Sequence, residues 1–167
     1  MSDATKKPAG KGSSGGSRRP GVARSAARLG AVQGLYQMDI GGADLADVLA
    51  QYGGGRLGDE FEDGQCGEAD FGFLKSIIEG VVNDQELIDR KVDGCLGEGW
   101  TLARLDAIAR AILRAAGFEL MFRDDVPGKV VINEYVEVAK AFFNGSEPGF
   151  INGALDKLAR ERRPEEF

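Results

Sequence analysis

Apolar residues recur at intervals of three and four along most of this chain, and no segment shows the strict alternation of a half-buried strand. The pattern begins near Val22 and predicts a first helix that Gly41 and Gly42 end. One face of that helix carries Leu29, Val32, Tyr36 and Ile40. Periodicity of this kind limits the chain to packed helices.

The same spacing predicts further helices along the rest of the chain. The segments are 44–52 with Asp44 as N-cap, about 71–96 with a break near Asn83 or Asp84, 101–122 with Thr101 as N-cap, 129–143, and a last helix capped by Ser146 that ends before Pro164. The stripe of the 101–122 helix is wide, which indicates burial on more than one side. Six or seven helices with mostly short connections predict an all-α fold.

Charge and composition divide the chain into regions. Residues 1–20 contain no large apolar side chain after Met1, so we expect a disordered basic Gly/Ser/Lys tail. Residues 21–163 form the expected single all-α domain, and residues 164–167 are expected to fray. Within the domain, Gly53–Ala69 is rich in glycine and acid and reads as a long loop.

The charge is strongly asymmetric. Up to Arg28 the chain holds seven basic residues and one acid, a net charge of +6, whereas the remainder is acidic with a net charge of −12. Arg24 and Arg28 are four residues apart and project on one side of the first helix. Guanidinium groups bind phosphate and stack on bases. We therefore predict that Arg24 and Arg28, together with Arg18 and Arg19 of the preceding tail, bind single-stranded RNA. Surface arginines and a solubilising tail without a partner remain the alternative.

Several classes of site are disfavoured. The chain has no histidine and only two cysteines, Cys66 and Cys95, which cannot form the usual zinc sites. The fingerprint at 10–15 matches GxGxxG but lacks a preceding strand and a following helix, so it predicts no nucleotide site. Paired acids such as Asp124 and Asp125 fall in turns and read as surface charge. We therefore expect no enzyme activity, no metal and no cofactor.

Other residues have mainly structural interpretations. Cys95 lies beside apolar residues and is expected to be a buried thiol. Glu134, near a helix start, is expected to tether a neighbouring helix end or loop. Tyr36 and Phe150 are expected in the core, although Phe150 follows Pro148-Gly149 and can stack on a base if partly exposed. No apolar run is long enough to cross a bilayer and no signal peptide is evident, which favours a cytoplasmic protein.

Three blocks of sequence resemble the NusB family of bacterial transcription antitermination factors. They are RLGAVQGLYQ at 28–37, the segments 113–120 and 123–134, and the segments 137–140 and 150–160. Their order and spacing match the family from about Val22 to Arg160. A long ordered match is more specific than any one short motif.

The resemblance implies a compact bundle of about seven helices in two halves and a non-enzymatic role. Members of this family pair with NusE, a small-subunit ribosomal protein, bind the boxA element of nascent RNA and act with RNA polymerase in an antitermination complex, chiefly on ribosomal RNA operons. In that family the start of the first helix is the main RNA contact, which matches Arg24 and Arg28. Tyr36 and Phe150 match further positions on the RNA side. Monomer and homodimer both remain open.

The chain departs from the family pattern at several points. Ser25 and Ala26 interrupt the run of arginines that the family often has, so the tail supplies the missing charge or RNA affinity is weaker. Gly117 and Gly128 replace residues that are commonly alanine and tyrosine. A helical protein-interaction scaffold, with a basic tail that only adds solubility, is the alternative function.

Overall fold

The computed structural model of the chain describes residues 20–53 and 68–167, and these residues are helical without strands. The α-helices are α1 (Pro20–Gly41), α2 (Leu45–Gly53), α3 (Glu68–Asp93), α4 (Ala107–Phe122), α5 (Gly128–Phe142) and α6 (Glu147–Arg162), and short 3-10 helices span Leu102–Arg104 and Pro164–Glu166. The prediction of an all-α fold is confirmed, with six α-helices in the described part rather than about seven. The tail at 1–19, most of the acidic loop, the GxGxxG fingerprint and Cys66 lie outside the described residues.

Helix α4 is the centre of the bundle and packs against α1, α3, α5 and α6. Its sequence is apolar on most sides, and the residues from Ala115 to Met121 are all buried, Glu119 included. The predicted burial of this helix on more than one side is therefore confirmed. Helix α1 runs antiparallel to it, since Arg28 meets Glu119 while Asp39 meets Arg110.

Helices α3 and α4 approach each other closely at Gly80. A Cβ at this position would lie 2.1 Å from Cε1 of the Phe118 ring, so a side chain larger than hydrogen has no room. This contact brings the first half of α3, which carries Phe73, to the C-terminal end of α4, where Arg123 follows. The later break in α3 is at Asp84, whose φ of −121° and ψ of 26° are not helical, as the sequence predicted.

Two predicted caps are wrong. Thr101 makes no side-chain cap bond and precedes a 3-10 helix instead of α4. The backbone is extended at Leu105, with φ of −88° and ψ of 161°, so the turn after Thr101 is not continuous with α4. The Asp93 carboxylate accepts a hydrogen bond from the Leu102 amide of this turn at 2.7 Å. Helix α4 begins later, with Asp106 accepting from the Ile108 amide. Ser146 precedes α6 as expected, but its hydroxyl caps nothing.

Other local predictions are confirmed. The Asp44 carboxylate accepts from the Asp47 amide at the start of α2. Gly42 follows α1 with φ of +74°, a conformation that favours glycine. Cys95 is buried, and this burial raises the pKa of its thiol. Within the described ranges, no helix has both the length and the apolar character that crossing a membrane requires.

The C-terminal residues, which the sequence predicts to fray, are held against the bundle. The Arg163 guanidinium is buried and donates to the carbonyl oxygens of Glu119 and Arg123, at 2.9 and 2.8 Å, at the end of α4. The Glu166 carboxylate accepts from the Gly128 amide at 2.8 Å. A Cβ at Gly128 would lie 3.1 Å from this carboxylate and 3.4 Å from the Phe167 ring. The C-terminus thus occupies the space beside Gly128 and fixes the turn between α4 and α5.

Candidate nucleic-acid interface

Arg24 lies in the first turns of α1 and stacks on an aromatic ring of α3. Its guanidinium carbon is 4.4 Å from the centroid of Phe73, and the side chain is partly exposed. Among the described residues no carboxylate lies within ion-pair distance of Arg24. A guanidinium held over a ring at this distance interacts through its charge and can still donate its N–H groups to a phosphate or a base. Arg24 therefore has the geometry that the RNA hypothesis requires.

Arg28 lies on the same side of α1, as its spacing from Arg24 predicted, but the expectation that its charge is presented at the surface is wrong. Its side chain is 3% exposed, and its Nε and Nη2 donate to the Glu119 carboxylate at 2.8 and 2.9 Å. Burial alone would lower the pKa of Arg28, but the hydrogen bonds and charge of Glu119 outweigh it and raise that pKa. An RNA phosphate would have to displace a buried carboxylate to reach Arg28, which makes direct contact unfavourable.

A buried network holds Glu119 in place. The Tyr135 hydroxyl donates to the Glu119 carboxylate at 2.5 Å, and Glu119 itself is fully buried. Burial, followed by the charge of Glu119, raises the pKa of Tyr135 well above its usual value, so this hydroxyl keeps its proton. The network joins α1, α4 and α5 beneath Arg24.

Glu134 completes the link between α1 and α5. Its carboxylate accepts from the Ser25 hydroxyl at 2.5 Å and lies 3.5 Å from Nη1 of Arg28. The sequence interpretation of Glu134 as a tether for a neighbouring element is confirmed. Ser25, which interrupts the arginine run, anchors α1 through this bond.

Arg123 shares the Phe73 ring with Arg24, a contact that sequence reasoning missed. Its guanidinium carbon is 5.0 Å from the ring centroid, and its Nη1 donates to the Ser76 hydroxyl at 3.1 Å. The same guanidinium donates through Nε and Nη2, both at 2.9 Å, to the Asp125 carboxylate. These bonds lower the pKa of Asp125 to about 2. We define Arg24, Arg123 and the Phe73 ring that both contact as the arginine face.

The signal for Arg123 in the sequence was weak. The segment Arg123-Asp124-Asp125 reads as the polar turn after a helix, and only the fold brings it to Phe73, fifty residues earlier in the chain. The backbone of this turn is fixed by Arg163, which donates to the carbonyl oxygens of Arg123 and Val126.

Tyr36 and Phe150 do not join the arginine face. Tyr36 is more than three turns beyond Arg24 on α1, about 18 Å along the axis, and packs partly buried against the core. Phe150 lies in the first turns of α6, beside Ala109 at the other end of α4 from Arg123, which is about 20 Å along that helix. Arg18 and Arg19 lie outside the described residues.

Phe150 instead forms a cleft with Trp100. The two rings pack edge to face with centroids 6.1 Å apart, and Trp100 is 46% exposed. Arg104 lies over the Trp100 ring at 5.4 Å from its centroid. The cavity between them has a volume of about 330 Å³ and is bordered by Asp106 and Glu147. We call this the Trp100 cleft.

The described residues contain no group of three or more acidic or cysteine side chains arranged for a metal ion.

The sequence of the chain is similar to proteins of one known family. Residues 25–160 match the model of the NusB family. The transcription antitermination protein NusB of Rhodopseudomonas palustris (strain BisB18) is 48% identical over 161 residues, which cover 96% of this chain and 92% of that protein. The protein of the same name from Caulobacter vibrioides is 54% identical over 140 residues, which cover 84% of this chain and 94% of the relative.

Solved structures share the fold. NusB of T. maritima is 29% identical, with a TM-score of 0.71 and coverage of 86% of this chain and 96% of that chain. A chain in a crystal structure of the antitermination factors NusB and NusE in complex with dsRNA has a TM-score of 0.69 over 83% of this chain and 97% of its own length. At 23% identity the latter similarity concerns the fold alone.

Proposed function

The chain belongs to the NusB family of transcription antitermination proteins, and we propose that it binds boxA-type single-stranded RNA together with NusE in support of ribosomal RNA transcription. Family membership confirms the prediction of an antitermination factor rather than an enzyme. Our proposal goes further than family membership in four respects: the RNA element, the NusE partner, the RNA polymerase complex that the pair would join, and the cytoplasmic location.

The observation that carries the RNA proposal is the state of Arg24. Its guanidinium lies over Phe73, is partly exposed and has no carboxylate within ion-pair distance among the described residues, although its charge also acts on Asp125. Stacking orders the side chain before RNA arrives, so less conformational entropy is lost when a phosphate binds. The basic tail, with Arg18 and Arg19, precedes this point in the chain and would lengthen the path of positive charge.

Arg28 has a different role in the proposal. Because its charge is neutralised by Glu119 and its side chain is buried, we assign it to positioning α1 rather than to phosphate contact. Its guanidinium carbon is 4.9 Å from the Phe73 centroid, so it also supports the ring on which Arg24 stacks. An arginine at this position thus contributes to RNA binding through the shape of the arginine face.

Phe150 and Tyr36 would contribute away from that face. Phe150 is partly buried next to the exposed Trp100, where a base can stack without displacing the core. Tyr36 is held more firmly against the core, so its proposed contribution is the shape of the α1 surface. A single strand that touches both ends of α4 would span about 20 Å, which a few extended nucleotides can do.

NusE is the proposed protein partner. A protein of the same fold has been crystallised with NusE and dsRNA, which supports a joint surface for protein and RNA in this chain. The described residues that would contact RNA directly are few, so RNA binding by this chain alone should be weak. A second protein bound beside the RNA would increase affinity by raising the effective concentration of its contacts.

The test is the affinity of the full chain for a boxA-type single-stranded RNA, measured by filter binding with and without NusE over a series of salt concentrations. Arg24→Gln should weaken binding and reduce the slope of log affinity against log salt by about 1, because one phosphate contact is lost. The matched control is Arg90→Gln, which removes the same charge from an exposed position on α3, about 25 Å from Phe73.

The outcomes separate the two functions. Equal effects of Arg24→Gln and Arg90→Gln would indicate a general charge effect and reject the assigned site. If the unsubstituted chain binds NusE but the pair has no greater affinity for boxA-type RNA than for an unrelated RNA, the alternative of a protein-interaction scaffold is favoured and the proposed function is rejected.

A further inference from the structure

Arg123 meets the same requirements as Arg24 from a different part of the chain. It follows the last residue of α4, lies over the same Phe73 ring of α3 that Arg24 contacts, and is 23% exposed. Two guanidiniums that share one ring lie close enough for one RNA strand to reach both. The difference is that Arg123 already holds an anion, the Asp125 carboxylate.

The pair between Arg123 and Asp125 has the geometry that arginine uses for phosphate. Nε and Nη2 each donate to one carboxylate oxygen at 2.9 Å, and a phosphate offers two oxygens at similar positions. The Asp125 side chain is 55% exposed, so water and salt screen the pair and it contributes little to stability. An incoming phosphate can therefore replace this carboxylate at small cost, unlike the buried Glu119 that holds Arg28.

The turn that carries both residues is rigid. Arg163 donates to the carbonyl oxygens of Arg123 and Val126, which lie on either side of Asp125. The Ser76 hydroxyl accepts from the third nitrogen of Arg123 and keeps the guanidinium over Phe73. Exchange of one anion for another would need rotation of the Asp125 side chain and no rearrangement of the backbone.

We propose that Arg123 is a second phosphate-binding guanidinium of the arginine face, and that Asp125 is a resident competitor which an RNA phosphate displaces. The proposal rests on the proposed function, since it names a further residue of the same RNA site. Competition by Asp125 lowers the affinity of Arg123 for an isolated phosphate. Only an RNA strand that makes several contacts at once then binds well, because its other contacts offset this loss.

The test compares two neighbouring aspartates in the same binding assay, with boxA-type RNA and NusE. Asp125→Asn removes the competitor and should tighten binding about threefold to tenfold and steepen the salt dependence. Asp124→Asn is the matched control, because Asp124 is exposed, lies one residue earlier and makes no bond with Arg123. It should tighten binding less, since it changes only the long-range field.

Two further variants identify the mechanism. Arg123→Gln should weaken binding about as much as Arg24→Gln, and the double variant Arg123→Gln with Asp125→Asn should lose the gain of Asp125→Asn alone. Circular dichroism and thermal melting of each variant check that the fold is retained. In the unsubstituted protein, the NMR signal of the Arg123 Nε–H should shift when RNA is added.

Different results would reject the role of Arg123 and the proposed RNA-binding function. If Arg24→Gln weakens binding while Arg123→Gln does not, or if Asp124→Asn and Asp125→Asn have equal effects, Arg123 is not a phosphate ligand and the proposed function stands. If the gain of Asp125→Asn persists without Arg123, the competitor role of Asp125 is rejected. If the unsubstituted chain with NusE shows no binding to boxA-type RNA, the proposed function itself fails.

Discussion

The arginine face and the Trp100 cleft both pair guanidiniums with an aromatic ring, but the ring is buried at the arginine face and exposed in the Trp100 cleft. At the arginine face the Phe73 ring is 5% exposed and the cations lie outside it. In the Trp100 cleft the ring is 46% exposed, with Arg104 beside it and the acids Asp106 and Glu147 at the border. The first arrangement presents charge without ring surface to solvent, whereas the second presents ring surface together with an exposed guanidinium that has acids nearby. The same pair of residue types therefore favours phosphate at one end of α4 and a base or another flat apolar group at the other.

The two regions also differ in what lies beneath them. The arginine face is supported by a buried ion pair and hydroxyl, formed by Arg28, Glu119 and Tyr135. The core side of the Trp100 cleft is apolar and includes Ala109 and Ile151. Only the arginine face should therefore be sensitive to a change that removes a single buried charge.

The largest expected effect follows from that difference. Glu119→Gln keeps the size of the side chain but leaves the buried Arg28 with only the partly exposed Glu134 carboxylate, 3.5 Å from its Nη1, as a counter-ion, so the free energy of unfolding should fall by about 3 kcal/mol. Urea unfolding followed by circular dichroism measures it. Glu137→Gln is the control, because Glu137 is 70% exposed and pairs only with Lys140 on the same helix, so its effect should stay below about 0.5 kcal/mol.

The supporting role of the ion pair would be contradicted by a small effect of Glu119→Gln. Replacing both partners, as in Arg28→Met with Glu119→Leu, should recover part of the lost stability, because the charge that remains, on Glu134, is partly exposed to water. NMR signals of residues around Trp100 should change less than those around Phe73 in all three variants.

The next largest effect tests how the arginine face is assembled. Gly80→Ala places a methyl group 2.1 Å from the Phe118 ring, so either this ring or α3 must shift, and stability should fall by about 1–3 kcal/mol. Gly72→Ala, on the same helix with no atom within 4 Å of the new methyl group, should instead raise stability by about 0.5–1 kcal/mol through helix propensity. Thermal melting compares them. Similar changes in both variants would show that α3 does not need the close approach at Gly80.

A smaller effect, on RNA affinity, distinguishes the contribution of charge from that of base stacking. Phe150→Leu keeps apolar volume against the core but removes the ring, so affinity for boxA-type RNA should fall by about 1 kcal/mol with an unchanged salt slope. Arg24→Gln should lower both affinity and slope. The measurement is the binding assay over a salt series. A change of slope with Phe150→Leu would mean that the Trp100 cleft also binds phosphate, and the contrast between the two regions would be lost.

For the arginine face and the Trp100 cleft, the sequence predicts which residues share one side of a helix, because that depends only on their spacing along the chain. Arg24 and Arg28 share one side of α1 because residues four apart do so in any helix. The burial of Arg28 depends on Glu119, ninety-one residues later, and periodicity cannot reveal such a partner. The same holds for Arg123, which reads as part of a turn until Phe73 is known to be its neighbour. Thr101 does not cap α4 because the backbone is extended at Leu105, which separates the turn after Thr101 from that helix, and apolar spacing does not show such a break.

The smallest effect concerns the titration of Asp125 at the arginine face. Arg123 lowers the pKa of this carboxyl from its ordinary value near 3.8 to about 2, so the ion pair stabilises the fold above pH 4 and is lost as the pH falls toward 2. The effect on unfolding should be slight because the carboxylate is exposed, but the NMR carboxyl signal of Asp125 should titrate with a midpoint near 2. In Arg123→Gln that midpoint should return toward 3.8. An unchanged midpoint would show that Arg123 does not hold Asp125 in solution, and the guanidinium would then be as open to phosphate as that of Arg24.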